Sequence, residues 1–122
     1  MAKYNVLFYE KENGERPVEK FIVDLNTKMR AKIVGLLGVL EEKGNLLREP
    51  YSKHLTDGIF EIRCKQGSDI TRILYFFYYG ERIILTNGFV KKAQKTPRNE
   101  IKLAKQRRCD YIRRMEKNEN VE

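Results

Sequence analysis

The 122-residue chain holds only two cysteines, one histidine and three prolines, and it has no tryptophan. Cys64 and Cys109 show neither CxxC spacing nor a companion histidine, which removes the usual zinc patterns and a disulfide framework. Free thiols fit a reducing cytosol. The apolar stretch at residues 6–9 is too short for a signal-peptide core, and no run approaches a membrane span. These features point to a soluble, cytoplasmic protein. Repeats and low-complexity linkers are also absent, and the length suits a single domain over residues 1–122 with one core.

Acidic residues are scarce relative to basic ones. Lys and Arg number 25 against 17 Asp and Glu, giving a net charge of +8 and a pI near 9.5. From Lys91 onward there are eleven cationic and five acidic residues, a surplus of six, so most of the excess sits in the last quarter. A balance of this kind favours nucleic acid, an anionic surface or an acidic partner. The apolar stripe of the last segment is too narrow for a membrane-seeking helix.

Hydrophobic spacing orders the chain as β-α-α-β-β-β-α, an α+β class. Residues 4–9 (YNVLFY) read as a strand, and Asn13-Gly14 as a turn. Pro17 suits the start of a helix that carries Phe21, Ile22 and Leu25. Asn26 or Thr27 caps a second helix running to Lys43, stopped by Gly44. Residues 45–57, with Pro50 and His54, read as a connection. Strands follow at 59–65, 70–79 and 82–90, with a tight turn at Tyr79-Gly80-Glu81. Thr96 as N-cap and Pro97 open a final helix with the stripe Ile101, Ala104, Tyr111, Ile112 and Met115, fraying from Lys117. The expected form is an antiparallel sheet with the helical hairpin on one face. The other face is left partly open.

Glu61, Arg63 and Lys65 alternate with Phe60, Ile62 and Cys64, so they leave the strand on that open face. Cys64 then reads as a small core hydrophobe. With the turn near Gly67-Ser68, Arg72 falls within a residue or two of facing Arg63, and two guanidiniums so close repel unless an anion or Glu61 lies between them. Lys91, Lys92 and Lys95 arrive beside the same surface. Guanidinium groups suit phosphate because they bind it bidentately. RNA can be cut without a metal when a base takes the 2′-OH proton, the oxygen attacks phosphorus and a donor protonates the leaving oxygen. Glu61 could serve as base, Arg63 and Arg72 as charge stabilisers and a lysine as donor. The alternative is a cross-strand ion-pair network, just as the basic C-terminal run (Lys102, Lys105, Arg107, Arg108, Arg113, Arg114) could be a solvated helix face. His54 is the only histidine, the residue type whose unperturbed pKa suits acid–base work near neutrality. Of the aromatics at 75–79, Tyr78 and Tyr79 are the candidates for exposure and base stacking.

Three blocks carry a family resemblance. They are Leu55-x-x-Gly58-Ile59-Phe60-Glu61-Ile62-Arg63, then Thr71-Arg72-Ile73-Leu74-Tyr75-Phe76, then Gly88-Phe89-Val90-Lys91-Lys92-x-Gln94-Lys95-Thr96-Pro97 with Glu100-Ile101-x-x-Ala104 after it. In this order the chain resembles the RelE/ParE toxin superfamily, closest to its phage-derived HigB-like branch. The resemblance implies a RelE-like fold and a toxin that enters the ribosomal A site and cleaves mRNA without metal or cofactor. It also implies a cognate HigA-like helix-turn-helix antitoxin. Arg63 and Arg72 match catalytic or phosphate-binding positions of RelE-type toxins, and Lys91 and Lys92 fall in a segment with further basic catalytic residues. Glu61 stands where RelE carries a lysine, and the late RelE tyrosine has no counterpart before Tyr111. Lys65, Lys95, Arg98, Lys102, Lys105 and His54 are the expected RNA- or ribosome-binding residues. A ParE-like gyrase inhibitor and a non-catalytic nucleic-acid-binding domain are the competing readings.

Overall fold

The computed structural model describes residues 3–121, with side chains to residue 118. Its elements are β1 (Asn5–Phe8), α1 (Pro17–Val23), α2 (Thr27–Lys43), a 3-10 turn at Gly44–Leu46, β2 (Ser52–Thr56), β3 (Ile59–Gln66), β4 (Asp69–Tyr78), β5 (Arg82–Lys91) and α3 (Arg98–Val121). The strands form one sheet in the order β1-β5-β4-β3-β2. This is a mixed α+β architecture compatible with a RelE-like fold.

Local chemistry explains the helix starts. Pro17 occupies the first turn of α1, where its missing N–H costs nothing. The Asn26 side chain accepts from the Met29 amide at 2.8 Å and so caps α2. Val18, Ile22, Met29, Ile33, Leu36, Leu37 and Leu40 then bury one face of the hairpin against Ile62, Ile73, Tyr75, Ile83 and Leu85. Phe60 and Cys64 pack at the margin of this core, and burial raises the Cys64 thiol pKa.

Four expectations are corrected. First, part of the supposed connection at 45–57 is strand β2, paired antiparallel to β3. Its polar sequence SKHLT conceals the strand period, but Asp57-Gly58 was a readable signal. Asp57 (φ 47°) and Gly58 (φ 78°) both take positive φ, as a two-residue hairpin turn demands, and glycine does so without steric cost. Second, the sheet is mixed, because β1 runs parallel to β5. The long connection between them, which includes α1 and α2, supplies the crossover that parallel pairing needs. Third, the second sheet face is covered. α3 packs Ile101, Ala104, Tyr111, Ile112 and Met115 onto Ile59, Leu74, Phe76, Tyr78 and Ile84. The apolar stripe read from the sequence is therefore the buried side of α3. Fourth, α3 continues past Lys117 to Val121; Glu122 lies outside the described residues.

Side-chain bonds fix α3 in place. A bulge between the Leu74 and Tyr75 pairs leaves the Thr86 carbonyl for Arg107 Nη1 at 2.7 Å, and Asn87 Nδ2 donates to Glu100 Oε1 at 2.9 Å. Tyr9 donates its hydroxyl to Asp110 at 2.6 Å, and Arg107 and Arg114 lie 5.5 and 5.4 Å from its ring centroid. The Tyr9 hydrogen bond, then Arg113 and Arg114, hold the Asp110 carboxyl below its ordinary pKa despite partial burial. A depressed carboxylate stabilises the fold above its unfolded pKa, and that contribution vanishes as pH falls through the folded value. Asp110→Asn should therefore cost about 2 kcal/mol at neutral pH, the scale of a charged hydrogen bond, and should flatten the acid limb of stability against pH. Thermal melts at pH 7 and pH 3 check this; equal losses at both would refute it.

Candidate nucleic-acid interface

Strand register brings the three charged strand residues together. Arg63 and Arg72 are direct cross-strand partners, and Glu61 lies two residues before Arg63 on the same face. Glu61 Oε1 sits 2.7 Å from Arg63 Nε and 3.5 Å from Arg72 Nε. These Nε contacts are ion pairs rather than well-aimed hydrogen bonds. One carboxylate thus bridges two like charges that would otherwise repel.

The outer side of this cluster is closed by the segment between β5 and α3. Arg72 Nη2 donates to the carbonyls of Ala93 and Gln94, the latter at 2.9 Å, and Nη1 reaches the Lys95 carbonyl at 3.5 Å. Arg63 Nη2 also donates to the Gln94 carbonyl, and the Thr96 hydroxyl donates to Glu61 Oε2. Glu61 and Arg72 are 0% exposed, and the Arg63 side chain is 19% exposed. The expected open groove over these residues is therefore filled by backbone. Thr96, which the sequence offered as a helix cap, spends its hydroxyl on Glu61; Thr-Pro patterning alone could not reveal that. Burial lowers the Arg72 pKa, Glu61 opposes that shift, and an arginine so placed remains charged.

The other expected site residues do not gather at one place. Lys65 borders a cleft of about 240 Å³ shared by Pro50, Tyr51, Arg63, Ile70 and Gln94. Lys91, Lys92, Lys95, Arg98 and Lys102 are exposed and have no ion-pair partner among the described residues. Lys91 leaves β5 on the face of Arg72, since Arg72 pairs with Phe89 two positions earlier. Lys105 instead bonds Asp57 at 2.9 Å. His54 lies apart. It pairs with Phe60 on the opposite face of the sheet, and its Nε2 accepts from the Gly58 amide at 3.1 Å. Tyr78 is buried against Tyr111, while Tyr79 and Tyr51 are exposed. Tyr51, hidden in the supposed connection, is the aromatic that borders the cationic cleft. Among the described residues no group of three His, Cys, Asp or Glu side chains could hold a metal, and no helix is long and apolar enough to cross a membrane.

The fold and this surface define a small basic α+β domain, compatible with a RelE-like fold, with a cationic segment packed over a buried ion cluster. Residues 20–109 match the family described as Phage derived protein Gp49-like (DUF891), and the chain belongs to that family. It is a family of RelE/HigB-like toxins, which pair with antitoxins. No curated protein matches the sequence significantly.

Proposed function

We propose that this toxin is a ribosome-dependent mRNA endonuclease of HigB-like type. The observation that carries the reading is the run of five exposed cations from Lys91 to Lys102, without ion-pair partners among the described residues, adjoining the cleft of Arg63, Lys65 and Tyr51. Phosphates attract such a run, and an exposed aromatic gives a base a surface to stack on. Cleavage proceeds by attack of a 2′-oxygen on the adjacent phosphorus, its proton passing to solvent water as the P–O5′ bond breaks; lysines and Arg63 balance the developing charge and a lysine protonates the leaving 5′ oxygen, giving a 2′,3′-cyclic phosphate and a 5′-hydroxyl. Glu61 and Arg72, enclosed by the 93–96 backbone, act in this reading as positioning residues. The target is mRNA in the A site of cytoplasmic ribosomes, and the neutralising partner is a HigA-like helix-turn-helix antitoxin.

Induction in a bacterial host, followed by primer extension on an abundant transcript, tests this. Cuts inside translated codons are expected. Growth arrest with intact message and inhibited supercoiling would replace the reading with a ParE-like gyrase inhibitor. An absence of both arrest and cuts would leave a non-catalytic binding domain.

A further inference from the structure

The carbonyls of Ala93 and Gln94 both turn inward to Arg72, and Gln94 also to Arg63. In a trans peptide the N–H points opposite to the C=O. The amides of Gln94 and Lys95 are thereby turned outward, and neither has a hydrogen-bond acceptor among the described residues. Residues 91–95 are exposed, and Lys91, Lys92 and Lys95 surround these amides along the chain. Successive unpaired amides that leave one turn on the same side attract anions, because their partial charges are fixed before the ligand arrives. Here the fixing agent is a fully buried arginine held by a fully buried glutamate.

We propose that residues 92–95 form a phosphate cradle, in which the Gln94 and Lys95 amides and the Lys92 and Lys95 ammonium groups bind one phosphodiester of an RNA strand. The inference rests on the endonuclease reading for its choice of RNA. Gln94 also lines the cleft of Tyr51, Arg63 and Lys65, so a strand seated on the cradle continues toward a stacking surface and further cations. In this arrangement the buried Glu61–Arg72 pair aims donors instead of meeting the phosphate itself.

The experiment is amide NMR on the 15N-labelled full chain, titrated with inorganic phosphate and with an eight-nucleotide single-stranded RNA whose 2′-oxygens are methylated against cleavage. The Gln94 and Lys95 amides are expected to show the largest saturable shifts with both. Lys92→Gln should reduce the slope of log affinity against log salt by about 0.7, one single-strand phosphate contact. Thr96→Val keeps every charge, so it should weaken RNA binding several-fold at unchanged slope. Unmoved amides during RNA binding would overturn the cradle, and unchanged affinity in Thr96→Val would overturn the positioning role. Shifts with inorganic phosphate alone would remove RNA as ligand. Equal shifts with an unphosphorylated acidic peptide would make it a carboxylate site. Bound RNA at these amides without transcript cutting would sink the nuclease reading alone; cutting with unmoved amides would sink the cradle alone.

Discussion

Glu61→Gln is expected to lower the unfolding free energy by about 3–5 kcal/mol, the usual cost of removing one partner from a buried ion cluster. The residue is fully buried and is the only carboxylate between Arg63 and Arg72 among the described residues. A neutral amide leaves two guanidiniums facing each other across the β3–β4 pair and weakens the anchor of Thr96. For a domain of this size the melting temperature should fall on the order of 10 °C or more. Arg72→Met removes one of the repelling charges but strands the loop carbonyls, so it too should destabilise. The two changes share one network, and the double variant should depart from additivity by about 1–3 kcal/mol. Chemical denaturation of the four proteins measures this. Additive losses would mean that the cluster is not a network.

Gly44→Ala should cost about 3 kcal/mol or more. Gly44 ends α2 with φ 50° and ψ −120°, a backbone that side-chain-bearing residues adopt only under strain. An added Cβ would also fall within the Tyr4 ring. That ring cannot swing aside freely, because its hydroxyl donates to Asn45 Oδ1 at 3.0 Å and its edge packs on Phe77. The matched control is Gly35→Ala in the exposed middle of α2, where an added Cβ meets nothing within 4 Å. Helix propensity predicts that this change stabilises by roughly 0.5–1 kcal/mol. Opposite signs for the two variants in thermal melts are the expected result. A neutral Gly44→Ala would show that the α2 stop tolerates a side chain.

Hairpin chemistry made β3, β4 and β5 legible, since each alternates or runs apolar between turn residues. The same period failed at β2, because an edge strand needs only a few apolar residues and Ser52, Lys53 and His54 supply none. Ser52 is nonetheless buried, its hydroxyl 2.5 Å from the Tyr75 hydroxyl. The candidate site was half legible. Spacing placed Arg72 within a residue or two of facing Arg63, with Glu61 on the same face of Arg63's strand, and both an anion site and an ion-pair network remained open. The structure supplies the ion pairs and adds the loop carbonyls that enclose them.

The sequence by itself determined the element types other than β2, the apolar faces of α2 and α3, the neighbourhood of Glu61 and two arginines on adjoining strands, and the cationic surplus. Those follow from periodicity and turn chemistry, which act over a few residues. Only the tertiary structure decided that β1 runs parallel to β5, that α3 closes the second sheet face, and that Arg72 points into backbone instead of solvent. Each depends on contacts between segments far apart in the chain. Side-chain periodicity says which face a residue leaves by; what covers that face is settled by distant segments.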